Sequence, residues 1–555
     1  MRRLLYNQRG MASLIALIMV AMLTLLGLAA LSTSEDEVNI AGNELQEMRS
    51  FYAAEAGLEA GAAALQDEYD TTGVPPTIMP SGSFAINHCD VSYVTVDDGA
   101  PTKRVLTKGT LAGLHSLVKS FTITSVAESE VENARMILQE SFEAALVPIF
   151  QFAVFYGNDL EIAPGPDMTL LGRVHSNGNL WLQANSSLKM DSYVTASGNI
   201  LHGRKGPGGV SSGDVLIKDE EGNYVSMKMG ADFLDSEFTD WYDSSLARWG
   251  GRVQDSTHGQ GELNIPLTNS DDPHTLIERG DGNPDSYEHL SSLKIIDDTA
   301  WAQVGGLWLD VTQDMIDSGV LVPSATDQFY DAREGEWVDC TELDMGRLYE
   351  TGFAPSNGVL YFSNQVAGWP ALRLNNGDTL GSGLTIASEN PVYTNGDYNS
   401  VNKKPAAIMA DAVTFLSNAW DAGNFDLVSD SSKNKRNATA TTVNVSYLTG
   451  NVETTPSNYN GGFENLPRFL ERWSGKNFTW SGSAVNLWNS QQANGNWSGT
   501  YYDPPNRDWS YDSDLDDPNK LPPETPTVRV FQRIGWRQSY VGTNDENVDL
   551  EALGL

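Results

Sequence analysis

Hydrophobic residues form one continuous run near the start of the chain, and apolar positions continue at helical spacing beyond it. Within residues 11–31 only three residues are not apolar: Ser13, Thr24 and Gly27. A helix over this run is about 31 Å long, which is enough to cross the hydrocarbon core of a bilayer. From Val38 onward apolar residues recur every three or four positions, so the pattern predicts that the same helix continues through 32–67 as an amphipathic half.

Charged residues of opposite sign flank the apolar run. Arginines precede it and carboxylates follow it: Arg2, Arg3 and Arg9, then Glu35, Asp36 and Glu37. This asymmetry predicts a cytoplasmic leader over residues 1–10, a transmembrane half over 11–31, and everything beyond on the other side of the membrane. The alternatives are a secretory signal cut near Leu28-Ala29-Ala30 and a plain signal anchor. Neither alternative requires the amphipathic second half.

Short alternating stretches separated by turn residues dominate the rest of the chain. After a Gly- and Pro-rich linker, residues 84–146 predict a small β module. Alternation indicates a strand over 116–126, whereas periodicity alone does not decide between helix and strand for 134–142. The predicted fold class is therefore α+β, with a large and mostly β region after this module.

A repeat follows the small sheet. Gly-Asn pairs begin at Gly157, Gly178 and Gly198, and a valine precedes each pair by a few residues. This spacing predicts β-solenoid rungs over 147–203, with left-handed backbone at the Gly-Asn corners. A β-sandwich with Asn-Gly hairpins is the alternative. Residues 204–356 are interpreted as an insertion, and 357–555 as a β-rich region that completes the solenoid.

The N-terminal region resembles PilX-type minor pilins of type IV pili. The resemblance rests on Arg9-Gly10-Met11, on "LTLLGLAAL" and on "AGNELQEMRSFYAAEAGLEAG", and it covers roughly the first 65 residues. It implies cleavage by prepilin peptidase between Gly10 and Met11, followed by methylation of Met11. It implies as well that a small antiparallel sheet within 84–146, with a hairpin formed by 116–126 and 134–142, packs against the long helix. It also implies that the helix packs against other pilins through apolar side chains: Ile15, Leu25, Leu26, Leu28, Leu45, Met48 and Phe51.

One position departs from the pilin pattern. Most pilins have a glutamate five residues into the mature chain, which pairs with a neighbouring subunit's terminal amine, and here that residue is Ile15. A similar substitution in the tip pseudopilin of type II secretion systems implies a position at or near a filament tip. The alternative is that many PilX-like proteins lack the acid without occupying a tip.

Composition narrows the function further. The 555 residues carry a net charge of −38, which argues against nucleic acid as a partner because phosphate backbones bind clustered Lys and Arg. The two cysteines, Cys89 and Cys340, are expected to pair as a disulfide on the exported side, with two buried free thiols as the alternative. Aspartates at Asp512, Asp514 and Asp516 have calcium-loop spacing, but the glycine and glutamate of such a loop are missing. No cofactor is therefore expected, with calcium as an alternative.

No catalytic motif stands out in the sequence. His175 has no nucleophile or metal-ligand partner in its sequence context, and we expect it to be exposed and non-catalytic. Tryptophans near the C-terminus suit either a core or sugar stacking: Trp473, Trp480, Trp488, Trp497 and Trp509. The chain is thus interpreted as a non-enzymatic filament subunit, first in the inner membrane and then on the cell surface. The alternatives are a glycan-binding adhesin, whose ligand is a surface glycan, and a membrane-tethered carbohydrate-active enzyme.

Overall fold

A single long helix precedes a large body rich in β-strands. The computed structural model describes residues 8–72, 75–129, 135–206, 209–268, 270–280, 282–325, 328–366, 368–420, 436–455, 458–498 and 501–539. Helix α1 spans Gln8–Thr72 and confirms the helix predicted for 11–67. The α+β class is confirmed as well. The leader residues Arg2 and Arg3 lie outside the described residues.

The first sheet lies directly after the helix in sequence. Its strands up to residue 148 are β1 Ser81–Ile86, β2 Cys89–Asp97, β3 Thr102–Val105, β4 His115–Ser129 and β5 Arg135–Pro148. Strands β4 and β5 pair antiparallel, as in Phe121 opposite Phe142, so the predicted hairpin is confirmed. Its tip at residues 130–134 lies outside the described residues.

Short strands then follow one another through the first repeating region. They are β6 Phe152–Tyr156, β7 Leu160–Ile162, β8 Met168–Leu170, β9 Arg173–Ser176, β10 Leu180–Leu182, β11 Ser187–Met190, β12 Val194–Ala196, β13 Ile200–His202, β14 Asp214–Lys218, β15 Tyr224–Ser226, β16 Lys228–Met229, β17 Asp232–Phe233 and, after helix α2 Trp241–Trp249, β18 Val253–Gln254.

The remaining elements alternate short helices with longer strands. They are α3 Tyr287–Leu290, β19 Leu293–Ile296, β20 Thr299–Val304, β21 Leu307–Asp310, α4 Thr312–Asp317, β22 Leu321–Val322, β23 Phe329–Asp331, β24 Glu336–Asp344, α5 Met345–Glu350, β25 Val359–Ser363, β26 Pro370–Asn375, β27 Leu384–Ser388, β28 Val392–Asn395, β29 Ala406–Ala410, β30 Val413–Leu416, β31 Thr441–Asn444, β32 Ser446–Thr449, β33 Asn477–Gly482, β34 Ala484–Asn486, β35 Asn506–Tyr511 and β36 Thr527–Ser539.

Strands of the repeating region stack in parallel. Strand β9 pairs in parallel with both β6 and β12, β10 pairs with β7 and β13, and β11 pairs with β8 and β14. Leu160, Leu180 and Ile200 form one in-register row of buried side chains. Parallel stacking is what the predicted rungs require, whereas hairpins require antiparallel neighbours. Here the Gly-Asn pairs join strands of different sheets.

The glycines of the Gly-Asn pairs are needed for space. Neither Gly178 nor Gly198 has a positive φ angle, so the left-handed corners expected from sequence are wrong. A Cβ at Gly178 would lie 2.4 Å from Oδ1 of Asp159. That carboxylate accepts a hydrogen bond of 2.8 Å from the backbone N–H of Asn179. The side chain of Asn179 accepts one of 2.8 Å from Asn199, so polar side chains tie successive turns together.

The strands within residues 152–254 and those within residues 293–486 form one stack, and the two groups meet at strand β6. The longest sheet in the described residues, here called the central sheet, has the order β18-β12-β9-β6-β34-β32-β29-β27-β25-β19-β20-β21. Strand β34, near the end of the chain, pairs in parallel with β6, with Val485 opposite Phe155. The hydroxyl of Ser483 also donates to the carbonyl of Phe152 at 2.6 Å. Strand β6, which comes first in sequence, therefore lies in the interior of the stack and not at one of its ends.

The region predicted as an insertion contributes strands to the stack. Within 204–356, strand β14 pairs with β11, β18 pairs with β12, and β19 pairs with β25. Strand β36 departs from the stack and pairs antiparallel with β5, so the C-terminal region also completes the first sheet.

The first sheet is fixed to the stack through one shared core. Leu114, directly before β4, and Val118 of β4 belong to the same buried cluster as Phe152 and Phe155 of β6. Near this cluster the guanidinium of Arg173 donates to the carbonyls of Thr110 and Ala112. The helix-bearing sheet and the acidic body therefore form one packed unit.

The substitution Phe155→Ala tests this junction. The Phe155 side chain is fully buried where the two halves of the stack meet, so its removal leaves a cavity. We expect the free energy of unfolding to fall by about 3–5 kcal/mol, measured by denaturant titration. The control Leu171→Ala, at a position 51% exposed, should change it by less than about 0.5 kcal/mol. Equal effects of the two substitutions would contradict this junction.

Candidate functional site on the long helix

The first half of α1 presents its apolar side chains to the surroundings. Within the described ranges, α1 is the one helix long and apolar enough to cross a membrane. Apart from Phe51, the side chains assigned to helix packing lie open, with exposed fractions of 44–67%: Ile15, Leu25, Leu26, Leu28, Leu45 and Met48. Met11, on the C-terminal side of the predicted cleavage point, is 60% exposed. Gly10, at the predicted cleavage point, is also exposed and lies within the continuous helix. So large an apolar surface requires a cover other than water.

Hydroxyl groups in and just after the apolar half bond to the helix itself. The Thr24 hydroxyl donates to the carbonyl of Val20 at 2.7 Å, and the Thr33 hydroxyl donates to that of Ala29 at 2.9 Å. In hydrocarbon an unsatisfied hydroxyl is costly, and these bonds within the helix remove that cost. The polar interruptions of the run are thus compatible with lipid or with a bundle of apolar helices.

The second half of α1 lies on the first sheet at close range. Ala53, Ala54 and Leu58 are buried there, together with the aromatic ring of Tyr69 near the end of the helix. A Cβ at Gly57 would lie 2.1 Å from the hydroxyl oxygen of Ser125 and 2.7 Å from a methyl group of Val91. The small residues of "AAEAGLEAG" therefore allow the helix backbone to approach the sheet.

Strand β36 fixes the helix from the far end of the sequence. The guanidinium of Arg533 donates to both carboxylate oxygens of Glu59 at 2.6 Å, and these hydrogen bonds lower the pKa of Glu59. Arg529 donates to the carbonyl of Tyr69 at 2.8 Å. Sequence analysis missed both arginines, because nothing in the local pattern shows that the last strand joins the first sheet.

Phe51 differs from the other residues assigned to helix packing. Its ring packs edge to face on Trp536 of β36, with ring centroids 5.9 Å apart. The side chain is therefore partly buried within its own chain. The open apolar surface of the helix ends near this contact.

The two cysteines do not form the expected disulfide. Both are free thiols, and both are buried. Cys89 belongs to the core between helix and first sheet, whereas Cys340 lies in a separate cluster with Phe329 and Tyr393. Burial raises the pKa of the Cys340 thiol, which keeps it protonated and unreactive.

The three aspartates with calcium-loop spacing pair with other side chains. Lys403 contacts Asp512 at 2.6 Å and Asp514 at 2.8 Å, and Lys520 contacts Asp514 at 2.7 Å. Asp516 accepts a hydrogen bond from the hydroxyl of Tyr511 at 2.8 Å. Among the residues described, no group of three or more His, Cys, Asp or Glu side chains is placed to hold a metal ion. The carboxylates of these three aspartates are thus engaged by other side chains of the same chain.

The side chains considered for catalysis or sugar stacking mostly lie in the core. His175 is fully buried between Thr195 and Asn177, not exposed as expected, and burial lowers its pKa to about 4. Trp473, Trp480 and Trp488 are buried as well. These groups therefore stabilise the body and are closed to a large ligand.

Comparisons with known proteins add little. No family model matches the chain, and no curated protein matches it. Among solved structures, the competence-associated pilin ComZ from Thermus thermophilus aligns with 89% of this chain and 97% of its own, at 11% sequence identity and a TM-score of 0.27. A TM-score this low carries no argument, so the function must be argued from the helix and its sheet.

The close approach of helix and sheet is tested by a pair of matched substitutions. Gly57→Leu forces a large side chain between α1 and the sheet, and we expect it to lower the free energy of unfolding by about 2–3 kcal/mol. Gly42→Leu, where nothing lies within 4 Å, should instead raise helix stability by about 0.5–1 kcal/mol, since glycine is a poor helix former. Both are measured by unfolding in detergent. A tolerated Gly57→Leu would contradict the packing described above.

Proposed function

We propose that this protein is a pilin-like minor subunit of a type IV filament. The observation that carries the proposal is one continuous helix with two environments: residues 11–45 are open and mainly apolar, whereas Ser50 to Tyr69 are locked onto a sheet. Lipid covers the open half before assembly, and the helices of other pilins cover it afterwards. The apolar surface of the helix is shielded from water both in lipid and among other pilin helices, so the free-energy difference between these two states is small.

The charge of the body fixes which part remains in water. A chain with a net charge of −38 cannot place its strand-rich body in lipid or in a tight apolar bundle. The carboxylates of Glu35, Asp36 and Glu37 mark the point where the helix leaves the apolar environment. The leader thus lies in the cytoplasm before assembly, and the body lies outside the inner membrane and then on the filament surface.

Processing and position follow from the same proposal. Prepilin peptidase cuts between Gly10 and Met11, and the new terminus is methylated, as the resemblance to PilX-type minor pilins implies. The apolar side chain at Ile15 cannot neutralise a neighbour's terminal amine, which favours a place at or near the tip. A body of this size favours the same place, because it is difficult to repeat along a closely packed shaft. The role is structural and requires no catalysis.

Substitution of Leu26 by arginine tests assembly directly. Leu26 is 66% exposed, and an arginine in an apolar helix centre costs about 2.5–3.5 kcal/mol on insertion scales. We therefore expect Leu26→Arg to lower the amount of protein in sheared filaments by about 100-fold, measured by immunoblot. Val366→Arg, at an exposed site on the body, is the matched control and should assemble normally. Wild-type protein from the same filaments should begin at methylated Met11 by intact mass.

Two results would overturn the proposal. One is incorporation of Leu26→Arg at the wild-type level. The other is wild-type protein that is found freely dissolved, with its N-terminus near Leu31, and never in filaments.

A further inference from the structure

The two ends of the central sheet are finished in different ways. At the β18 end, Val253 is fully buried, and Trp241 and Trp249 of α2 belong to the same core cluster. At the other end, the hairpin of β20 and β21 extends beyond the core. Stacked repeats need polar or covered ends to remain soluble. Helix α2 helps to cover the first end, whereas the hairpin leaves apolar side chains open at the second.

One face of this hairpin carries the open apolar side chains. Val304 lies opposite Leu307 and Ala302 lies opposite Leu309, so these four residues share a face. Val304, Leu307 and Leu309 are 57%, 70% and 48% exposed. Ala300, on the same face, is buried in the core of the stack. The exposed side chains of Val304, Leu307 and Leu309 therefore lie on the face of the sheet that is buried in the core at Ala300.

The hairpin has a tight turn and ends in an open strand edge. Gly305 and Gly306 have φ angles of 59° and 82°, as in the tight two-residue turns that match the twist of a hairpin. Met315 of α4 is buried in the core beside Ala300 and Val320. Among the described strands, none pairs with the outer edge of β21. Exposed edges are usually blunted by lysine, proline or a bulge, and Leu307-Trp308-Leu309 contains no such feature.

The charge of the hairpin and of the helix after it indicates the kind of partner. Residues 299–320 include Asp310, Asp314 and Asp317 but no Lys, Arg or His. Lys294 of the adjacent strand lies over the ring of Trp308, 4.6 Å from its centroid, but it also pairs with Glu288 at 3.5 Å. A second copy of this chain would bring the same carboxylates to the contact, and like charges repel. An open strand edge pairs best with another extended strand, whose backbone supplies the missing hydrogen bonds.

We propose that the β20–β21 hairpin is a docking edge for an extended strand of a different protein, one that carries apolar side chains on one face and Lys or Arg on the other. The strand adds to β21 by backbone pairing, and its apolar face covers Val304, Leu307 and Leu309. This inference does not depend on the membrane helix, so either proposal can fail alone.

The test uses the full-length protein in lipid nanodiscs and a ten-residue peptide of alternating Lys and Val. We expect the peptide to bind and to slow amide hydrogen exchange at Trp308 and Asp310 at least tenfold, because the N–H groups of alternate residues in β21 point to its outer edge. A matched peptide of alternating Glu and Val should leave these amides unchanged. The double variant Leu307→Thr/Leu309→Thr should weaken binding of the Lys-Val peptide at least tenfold, measured by fluorescence anisotropy.

Controls separate docking from charge attraction and from misfolding. Val366→Thr removes an exposed apolar side chain elsewhere on the body and should bind like wild type. The single variant Leu307→Thr serves if the double variant unfolds at a lower temperature. The proposal is wrong if the Lys-Val peptide protects only other segments or if the threonine variants bind it as tightly as wild type. It is also wrong if two copies of the chain pair through this edge in the absence of peptide.

Discussion

Close packing of the second half of α1 on the first sheet is the contact on which the rest of the molecule depends. Because alanines and glycines face the sheet, the helix lies against it without bulky side chains between them. Arg533 then holds Glu59 from the neighbouring strand. The exposed apolar half of α1 is therefore connected to the acidic body through one continuous helix that is fixed to the first sheet. Without this contact between α1 and the first sheet, the apolar half of the helix would have no fixed orientation relative to the body.

The path of the chain reinforces this rigidity. Strand β6 begins the stack in its middle, β34 returns to pair with it, and β36 closes the first sheet beside β5. Each closure joins segments that are hundreds of residues apart. The helix-bearing sheet thus becomes fully paired only when the last part of the chain is in place.

Sequence analysis identified the features that depend on local spacing. Apolar periodicity predicted the helix, and alternation predicted strand β4, whereas the pairing of β4 with β5 was expected only from the resemblance to pilins. The Gly-Asn repeat indicated stacked strands because each rung places a turn at the same point. The pairing of β36 with β5 has no local signal, since strand partners are chosen by distant packing. The same limit explains why the expected disulfide is not found: an exported location favours pairing but does not determine which hydrophobic core Cys89 and Cys340 each enter. It also hides the ion pair between Lys403 and Asp512, which lie 109 residues apart in sequence.

The central claim is that the open apolar half of α1 is covered by other helices in a filament. A photo-cross-linking amino acid at position 25 of the full-length protein, activated in purified filaments, tests this most directly. We expect cross-links to the N-terminal helices of other subunits, and cross-links to lipid before assembly. Cross-links to lipid alone in both samples would contradict the account.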